Sequence, residues 1–371
     1  MEKTMFDYIK ETPVVVDDII ENSKEYTKEL VSFYQDNFYE GIQFIASGSS
    51  YNGTLIALPF IKHILKFDIK LTTPFTFENH EMDYVKKEML VGVSQSGCST
   101  NTLSVLEKLK EKGYKTSCLV GRNDCDAKDI ADLTVNWKVG EEKVGFVTKG
   151  VTSLACFLMC FALELAKARN IITDEEYDSY RQELKKTMSI QKEIVDNTVD
   201  IFNRHKEDFL NPKRVVLLSS GPGFGIISEG ALKIAETSCL TALAYEAEEF
   251  LHGPIYPSTP DDLIILVDNN DDKSSKRIID IALALKDITD KVYVITDSDQ
   301  IDEEHRFSTA EHTGLYTSVL YRLSCLQTLA NLMTENTNHY EPHDCVKAFK
   351  KANKVASKTR DNLYLNLQNI K

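Results

Sequence analysis

The feature that most constrains the fold of this chain is an alternation of short apolar segments with longer amphipathic ones. The apolar segments of strand length are residues 42–46, 90–93, 116–120, 133–135, 215–218, 263–267 and 292–295. The stretches between them have helical spacing, running to about Leu65 and Lys112 in the first half. Strands that alternate with helices form parallel sheets covered by helices. We therefore predict an α/β fold with two doubly wound parallel-sheet domains.

The length of 371 residues suits two domains, and the sequence suggests where they divide. Residues 1–39 predict an N-terminal helical segment, because apolar residues are spaced among Glu, Lys and Tyr. Residues 40–195 then form a first domain, and residues 196–371 a second domain with a C-terminal loop. The charged stretch 174–208 contains neither Gly nor Pro and predicts a long solvated helix that joins the two.

Charge and hydropathy exclude several classes of protein. The formal charge is −14, whereas nucleic-acid binding depends on basic surfaces that neutralise phosphates. No apolar run is long enough to span a bilayer, and the N-terminus lacks the pattern of a secretory signal. We expect a cytoplasmic protein that binds neither nucleic acid nor membrane.

The cysteines and histidines give no firm metal or redox motif. None of the eight cysteines forms a CxxC pair. Cys156 and Cys160 lie one helical turn apart, which is compatible with a metal or redox pair, but their apolar neighbours favour helix core. His339 and His343 flank Pro342, which breaks the helix that would bring them together, so a surface loop is favoured. We expect neither a metal nor a cofactor.

A serine-rich turn, residues 94–100 (Ser-Gln-Ser-Gly-Cys-Ser-Thr), follows a predicted strand and precedes a predicted helix. Such a turn directs backbone N–H groups and the positive end of the helix dipole at one point, where a phosphate binds well. The alternative is that Ser and Thr serve only as helix caps and turn formers. Four hydroxyl residues in seven positions exceed what capping needs, so we favour an anion site. Residues 47–53 form a similar turn, and nucleotide-binding glycine motifs are absent.

Three charged residues in the second half form one stripe on a predicted helix. Glu229 and Lys233 are four positions apart, and Lys233 and Glu236 are three apart. The pattern alone favours a solvated helix face. His252 follows in a Gly-Pro turn, and a lone loop histidine usually has no chemical role. A carboxylate and an imidazole together would nevertheless form a proton-transfer set.

Together, these motifs resemble a known family. The turns at 47–50 and 94–100, the stretch 144–152, the run 229–236 and the turn at 252–254 are similar to the double sugar-isomerase (SIS) domain proteins. The similarity is greatest to the isomerase half of glucosamine-6-phosphate synthase and to the fructosamine-6-phosphate deglycases. It extends from about residue 40 to the C-terminus and implies a flavodoxin-like sheet in each domain.

The resemblance also implies roles for individual residues. Glu236 would be the acid/base that moves a proton between C1 and C2, which reverses the solvated-face interpretation. His252 would assist ring opening and would reach the site from a neighbouring subunit, so a homodimer or higher homo-oligomer is expected. The residues implied to bind the sugar phosphate are Ser49, Ser50, Ser94, Gln95, Ser96, Ser99 and Lys233.

Three departures from the family pattern matter. The synthase carries a glutaminase domain with an N-terminal cysteine nucleophile, and this chain shows neither, so we expect no glutamine-dependent activity. The tail 359–365 resembles the synthase's C-terminal loop, but an apolar residue replaces its lysine, and Lys358 is a possible substitute. Cys98 replaces a usual acidic residue, which we expect to alter the rim of the serine turn.

We therefore expect a deglycase that acts on a ketosamine 6-phosphate and releases glucose 6-phosphate and an amine. One alternative is an isomerase or deaminase of glucosamine 6-phosphate or a relative. Another, from a different class, is a non-catalytic sugar-phosphate sensor, since single SIS modules also occur as regulatory domains. The presence of Glu236 and His252 argues against a sensor, which needs no proton shuttle.

Overall fold

The chain divides into two compact units. The computed structural model describes residues 3–270, 273–337, 344–346 and 348. The first unit is built mainly from Val14–Arg181, and the second from Thr4–Pro13 and Gln182–Pro342. The division falls inside a long helix, ahead of the position 195/196 expected from the sequence. Residues 4–13 belong to the second unit rather than to a separate N-terminal segment, because the helix that contains them is shared between the units.

Helices precede and surround the first sheet. Two helices contribute residues to both units, α1 (Met5–Glu21) and α9 (Asp174–Arg204). The first unit contains α2 (Ser23–Tyr26), α3 (Lys28–Asp36), β1 (Gly41–Ala46), α4 (Gly48–Leu65), β2 (Asp68–Thr72), α5 (Pro74–Thr76), β3 (Glu88–Ser94), α6 (Thr100–Glu111), β4 (Thr116–Val120), α7 (Ala127–Ile130), β5 (Leu133–Asn136) and α8 (Lys149–Ala168).

The second unit repeats the alternation of strands and helices. It contains α10 (Lys206–Leu210), β6 (Val215–Ser219), α11 (Gly223–Ser238), β7 (Ala242–Glu246), α12 (Ala247–Leu251), β8 (Leu263–Val267), α13 (Ser275–Leu285), β9 (Val292–Ile295), β10 (Arg306–Phe307) and α14 (Val319–Thr337).

Both units have the same sheet topology. The strand order is β2-β1-β3-β4-β5 in the first and β7-β6-β8-β9-β10 in the second, and every pairing is parallel. In each unit the order is 2-1-3-4-5, which is that of the flavodoxin-like doubly wound fold. The prediction of two α/β doubly wound sheets is confirmed. Its physical basis is that strands covered by helices on both faces become continuous apolar runs.

The strands that the sequence did not reveal are β2, β7 and β10. β2 has the sequence Asp-Ile-Lys-Leu-Thr and mixes exposed, half-buried and buried residues, while every residue of β7 is half-buried. All three lie at sheet edges, with one neighbouring strand each. An edge strand has one open side, so it needs no continuous apolar run and gives a weak sequence signal.

Two helices differ in how they are buried. α9 was predicted to be solvated, but Leu184, Met188, Ile194 and Phe202 are buried, so the prediction is wrong for one face of the helix. α8 is the one helix among the described residues that is long and apolar enough to cross a membrane, and 89% of its apolar window is buried inside the protein. Cys156 and Cys160 lie buried within α8, as the core interpretation predicted.

Candidate functional site

The first unit brings two polar turns together at one edge of its sheet. β1 and β3 are adjacent and parallel, but their outer neighbours continue in opposite directions along the sheet. Such a switch point opens a crevice at the carboxyl ends of the strands, where ligands of open α/β sheets bind. The turn after β1 and the turn after β3 both lie there, and the Asn101 side-chain amide links them by donating to Ser47 Oγ at 3.0 Å.

Hydroxyl groups converge within the serine turn, residues 94–100. Ser94 Oγ lies 2.9 Å from Ser99 Oγ and 3.4 Å from Ser96 Oγ. Ser96 Oγ also accepts the backbone N–H of Cys98 at 3.1 Å. Ser99 occupies the N-cap position of α6 but makes no side-chain cap hydrogen bond. The capping alternative therefore does not account for Ser99, and the cluster suits an anion at the N-terminus of α6.

The backbone of the serine turn is fixed by Gly97. Its φ is +64°, and an added Cβ would lie 2.5 Å from Cys125 Sγ. Its carbonyl accepts the N–H of Ala127 at 3.0 Å. Cys98, the next residue, is fully buried in the core with Leu103. The expectation that Cys98 alters the rim of the turn is therefore wrong, because its side chain faces the core.

The turn after β1 contributes the start of α4. Ser47 occupies the N-cap position in an extended conformation, and Ser49 and Ser50 lie in the first turn of the helix, both half-buried. Their positions at the switch point agree with a role in phosphate binding. That role stays a prediction for both residues.

The side chain of Gln95 extends from the serine turn to the loop that precedes α8. Its side-chain Nε2 donates to Glu142 Oε2 at 2.8 Å. Its backbone carbonyl accepts the N–H of Gly121 at 3.0 Å. Glu142 lies in the loop before α8 and is 2% exposed. Nothing in the sequence singles out Glu142, because it stands in an ordinary charged run, Glu141-Glu142-Lys143.

The second unit contains the charged stripe on α11. Glu229 and Lys233 are 0% and 1% exposed, whereas the side chain of Glu236 is 38% exposed. Lys233 Nζ lies 2.7 Å from Glu236 Oε2 and 3.5 Å from Glu229 Oε1. The solvated-face interpretation is therefore wrong for Glu229 and Lys233. A buried lysine holds one carboxylate inside the unit and a second one at its surface.

Packing explains why the stripe is buried. α11 follows the central strand β6 and packs against α14, and an added Cβ at Gly230 would lie 2.5 Å from Leu326 Cδ1 of α14. The Thr334 hydroxyl of α14 also donates to Thr237 Oγ1 at 2.8 Å and lies 3.1 Å from Ser238 Oγ. Close helix contact on this side fixes the rotation of α11 and thereby the direction of its charged face.

His252 lies in the turn that follows α12 and is exposed. Its backbone N–H donates to the Glu249 carbonyl at 3.1 Å. The Arg277 guanidinium holds the pKa of Glu248 below its usual range, and the nearby His252 adds a smaller effect in the same direction. Within the described residues the structure shows no hydrogen bond between His252 and Glu236. An exposed histidine is accessible to another chain, and its role stays a prediction.

The corresponding edge of the second sheet is less suited to an anion. Ser219 Oγ donates to the Val267 carbonyl at 2.7 Å, and the Asn269 amide donates to the Ser220 carbonyl at 2.8 Å. The hydroxyl of Ser219 is thus used within the fold. Asp268 follows β8 directly, and its buried carboxylate accepts the hydroxyl of Thr296 at 2.7 Å. The two units share a topology but differ in the chemistry of this edge.

No cluster of three or more potential metal ligands occurs among the residues the structure describes. The interpretation of His339 and His343 as parts of a surface loop concerns residues outside the described ranges. The same is true of the tail 359–365 and of Lys358.

Comparison with known proteins identifies the second unit. The model of the SIS domain matches residues 208–332, which include β6, α11 and the His252 turn. This chain contains a SIS domain. The predicted family is thereby confirmed, and Glu236 lies inside the matched SIS domain.

The relatives and solved structures extend the similarity over most of the chain. The glutamine–fructose-6-phosphate aminotransferase of Bartonella quintana is 29% identical over 216 residues, which are 58% of this chain and 35% of that protein. The SIS-domain chain thus spans about a third of the length of this curated relative.

Two solved structures share the fold. A Clostridium difficile protein provisionally described as a phosphosugar isomerase has a TM-score of 0.85 and 24% identity, with 97% of this chain and 100% of that chain covered. The C-terminal domain of glucosamine-fructose-6-phosphate aminotransferase from Francisella tularensis has a TM-score of 0.81 and 22% identity, with 91% and 97% covered. At these identities the similarity establishes the shared α/β architecture.

Proposed function

We propose that this SIS-domain protein is an enzyme that acts on a ketosamine 6-phosphate, releasing glucose 6-phosphate and an amine. The observation that carries the proposal is the arrangement on α11. Glu236, partly exposed, is held at 2.7 Å by the ammonium of the buried Lys233. A fixed carboxylate accessible to solvent is what proton transfer between adjacent carbons requires.

The phosphate of the substrate would bind at the serine turn of the first unit. The Ser94 hydroxyl lies 3.4 Å from that of Ser96 and 2.9 Å from that of Ser99, just before the start of α6. Hydroxyl donors and the positive end of a helix dipole stabilise a phosphate without a metal or a lysine. Ser49, Ser50 and Gln95 would complete this binding site from the same sheet edge.

The reaction follows from the chemistry of the substrate. Glu236 removes a proton from C1 of the amino ketose while the C2 oxygen is protonated, which gives an enol-type intermediate. Return of a proton to C2, with loss of the proton on nitrogen, gives an imine at C1. Water adds to this imine and expels the amine, leaving the aldose 6-phosphate. The overall change is ketosamine phosphate plus water to sugar phosphate plus amine.

Lys233 has a supporting part in this scheme. Its ammonium orients the Glu236 carboxylate and is shared with Glu229. His252 would assist ring opening from a neighbouring copy of the chain, since its imidazole is exposed on the turn after α12. We also propose that the protein is a homodimer or higher homo-oligomer and that it is cytoplasmic. Similarity to aminotransferases named for fructose 6-phosphate supports the substrate class.

The test is a panel of substrates incubated with the purified full chain. Fructose-amino-acid 6-phosphates and glucosamine 6-phosphate are supplied separately, and glucose 6-phosphate, fructose 6-phosphate, ammonia and free amino acid are quantified. Glucose 6-phosphate and amino acid released together support the deglycase. Fructose 6-phosphate and ammonia from glucosamine 6-phosphate would support a deaminase instead. Binding of these compounds with no product from any of them would indicate a sensor.

A further inference from the structure

The loop that precedes α8 contributes a buried carboxylate to the serine turn. Glu142 Oε2 accepts the side-chain N–H of Gln95 at 2.8 Å. Glu142 Oε1 accepts the backbone N–H groups of Thr148 at 2.8 Å and Lys149 at 2.9 Å. Three donors from two separate segments thus converge on one side chain that is 2% exposed.

The donors fix the chemical state in which Glu142 acts. A carboxylate accepts at both oxygens, whereas a protonated acid has one oxygen that donates. Burial raises the pKa of Glu142 above its usual range, although the hydrogen bonds from Gln95, Thr148 and Lys149 oppose that effect. The geometry of three donors at its two oxygens is that of a carboxylate. Because both oxygens of Glu142 accept hydrogen bonds, the carboxylate also determines which end of the Gln95 amide faces it. The nitrogen must point to Glu142, and the carbonyl oxygen must point elsewhere.

Gly150 closes the other side of the Gln95 amide. An added Cβ at Gly150 would lie 2.1 Å from Gln95 Oε1 and 2.7 Å from its Nε2. The Gln95 amide therefore occupies the space that a side chain at position 150, in the first turn of α8, would need. The stretch 144–152 is similar to a family motif, and this close contact explains why glycine occupies position 150 in it. A side chain at this position would displace Gln95.

We infer that Glu142 is a positioning residue, which orients the Gln95 amide for sugar-phosphate binding and anchors it to the N-terminus of α8. This inference rests on the proposed function, because Gln95 acts there as a binding residue. The carboxylate has two tasks, since it also receives the first N–H groups of α8, whose N-cap residue Thr148 makes no side-chain cap hydrogen bond. Orientation of Gln95 and attachment of α8 are therefore coupled through one group.

The matched substitution is Glu142→Gln, which keeps size and one acceptor oxygen. That oxygen can still receive the N–H groups of Thr148 and Lys149, but the new amide nitrogen would face the amide nitrogen of Gln95. Two donors cannot bond, so Gln95 must rotate. We expect the dissociation constant for glucose 6-phosphate, measured by calorimetry, to rise on the order of tenfold, because a hydrogen bond to a charged group is lost.

A double-mutant cycle with Gln95→Leu separates positioning from a general structural role. If Glu142 acts through Gln95, Glu142→Gln changes the dissociation constant less than twofold in the Gln95→Leu background. Equal effects in both backgrounds would show that Glu142 acts on α8 alone and would overturn the inference. Gly150→Ala displaces the same amide without altering Glu142, and it should weaken binding to a similar degree.

A second measurement does not depend on sugar-phosphate binding. The Gln95 side-chain amide signal, assigned by its loss in Gln95→Leu, should exchange slowly with solvent in the unchanged protein and rapidly in Glu142→Gln. Equal exchange in the two proteins would overturn the inference. Absence of glucose 6-phosphate binding by the unchanged protein would count against the proposed function, while the amide exchange would still decide the role of Glu142.

Discussion

Removal of the buried ammonium on α11 should destabilise the protein far more than removal of an exposed one. Lys233 is 1% exposed and lies between Glu229, which is fully buried, and Glu236. Lys233→Met keeps most of the side-chain volume but leaves the Glu229 carboxylate buried without the ammonium. Loss of one partner of a buried ion pair costs about 3–5 kcal/mol of unfolding free energy.

The control lies on α9. Lys192 Nζ is 2.5 Å from Asp196 with the same four-residue spacing, but both side chains are largely exposed. Lys192→Met should cost less than about 1 kcal/mol, because exposed pairs are screened by solvent. Burial rather than spacing therefore accounts for the difference in unfolding free energy expected between the two substitutions.

Urea titrations followed by far-UV circular dichroism measure both changes. Fluorescence of Trp137, the single tryptophan of the sequence, reports on the first unit, where it is buried. The double variant Glu229→Gln/Lys233→Met should regain part of the lost stability, because the buried charge is also removed. Equal effects of Lys233→Met and Lys192→Met, or no recovery in the double variant, would refute the reasoning.

Two further predictions concern the serine turn and the loss of stability at low pH. Gly97→Ala should lower the thermal midpoint more than Gly113→Ala. Both glycines have positive φ, so alanine costs about 1–2 kcal/mol at either position, but only at position 97 would the new Cβ also collide with Cys125. Equal shifts of the two midpoints would contradict this. Burial raises the pKa of Asp302, but hydrogen bonds from Lys286 and His305 outweigh it and hold that pKa well below 3.8. The stability that this low pKa contributes is complete above the pKa of Asp302 in the unfolded chain and is lost as pH falls through its pKa in the folded protein. Asp302→Asn should therefore flatten the dependence of the urea midpoint on pH below about pH 4. An unchanged dependence in this acid range would contradict this.

The central strands were predictable from the sequence, whereas the edge strands were not. β1, β3 and β6 are buried along their whole length and mostly apolar, as expected for strands covered by helices on both faces. β2 and β7 lie at sheet edges, where polar residues are tolerated. The serine turn was also predictable, since its hydroxyl residues stand directly between a strand and a helix.

Burial of charged residues could not be predicted from their spacing. Glu229 and Lys233 have the same i,i+4 separation as Lys192 and Asp196, yet the first pair is buried and the second exposed. The difference arises from α14, which packs on α11 from a distant part of the sequence. The resemblance to SIS proteins, rather than periodicity, singled out Glu236.

Glu142 shows the same limit within the first unit. Its neighbour Glu141 is exposed and pairs with Lys143 at 3.0 Å, while Glu142 is buried against Gln95. Adjacent identical residues thus have different environments. Only the path of the chain between β5 and α8 distinguishes them.

The central claim is that Glu236 transfers the proton between C1 and C2, and Glu236→Gln tests it most directly. Glu207→Gln, an exposed substitution in the same unit, is the matched control. With the ketosamine 6-phosphate that the unchanged protein turns over best, we predict that Glu236→Gln lowers kcat at least about a hundredfold. Its dissociation constant for glucose 6-phosphate should stay within about threefold, because the serine turn is intact, and Glu207→Gln should change neither. Turnover by Glu236→Gln at the rate of the unchanged protein would contradict the account.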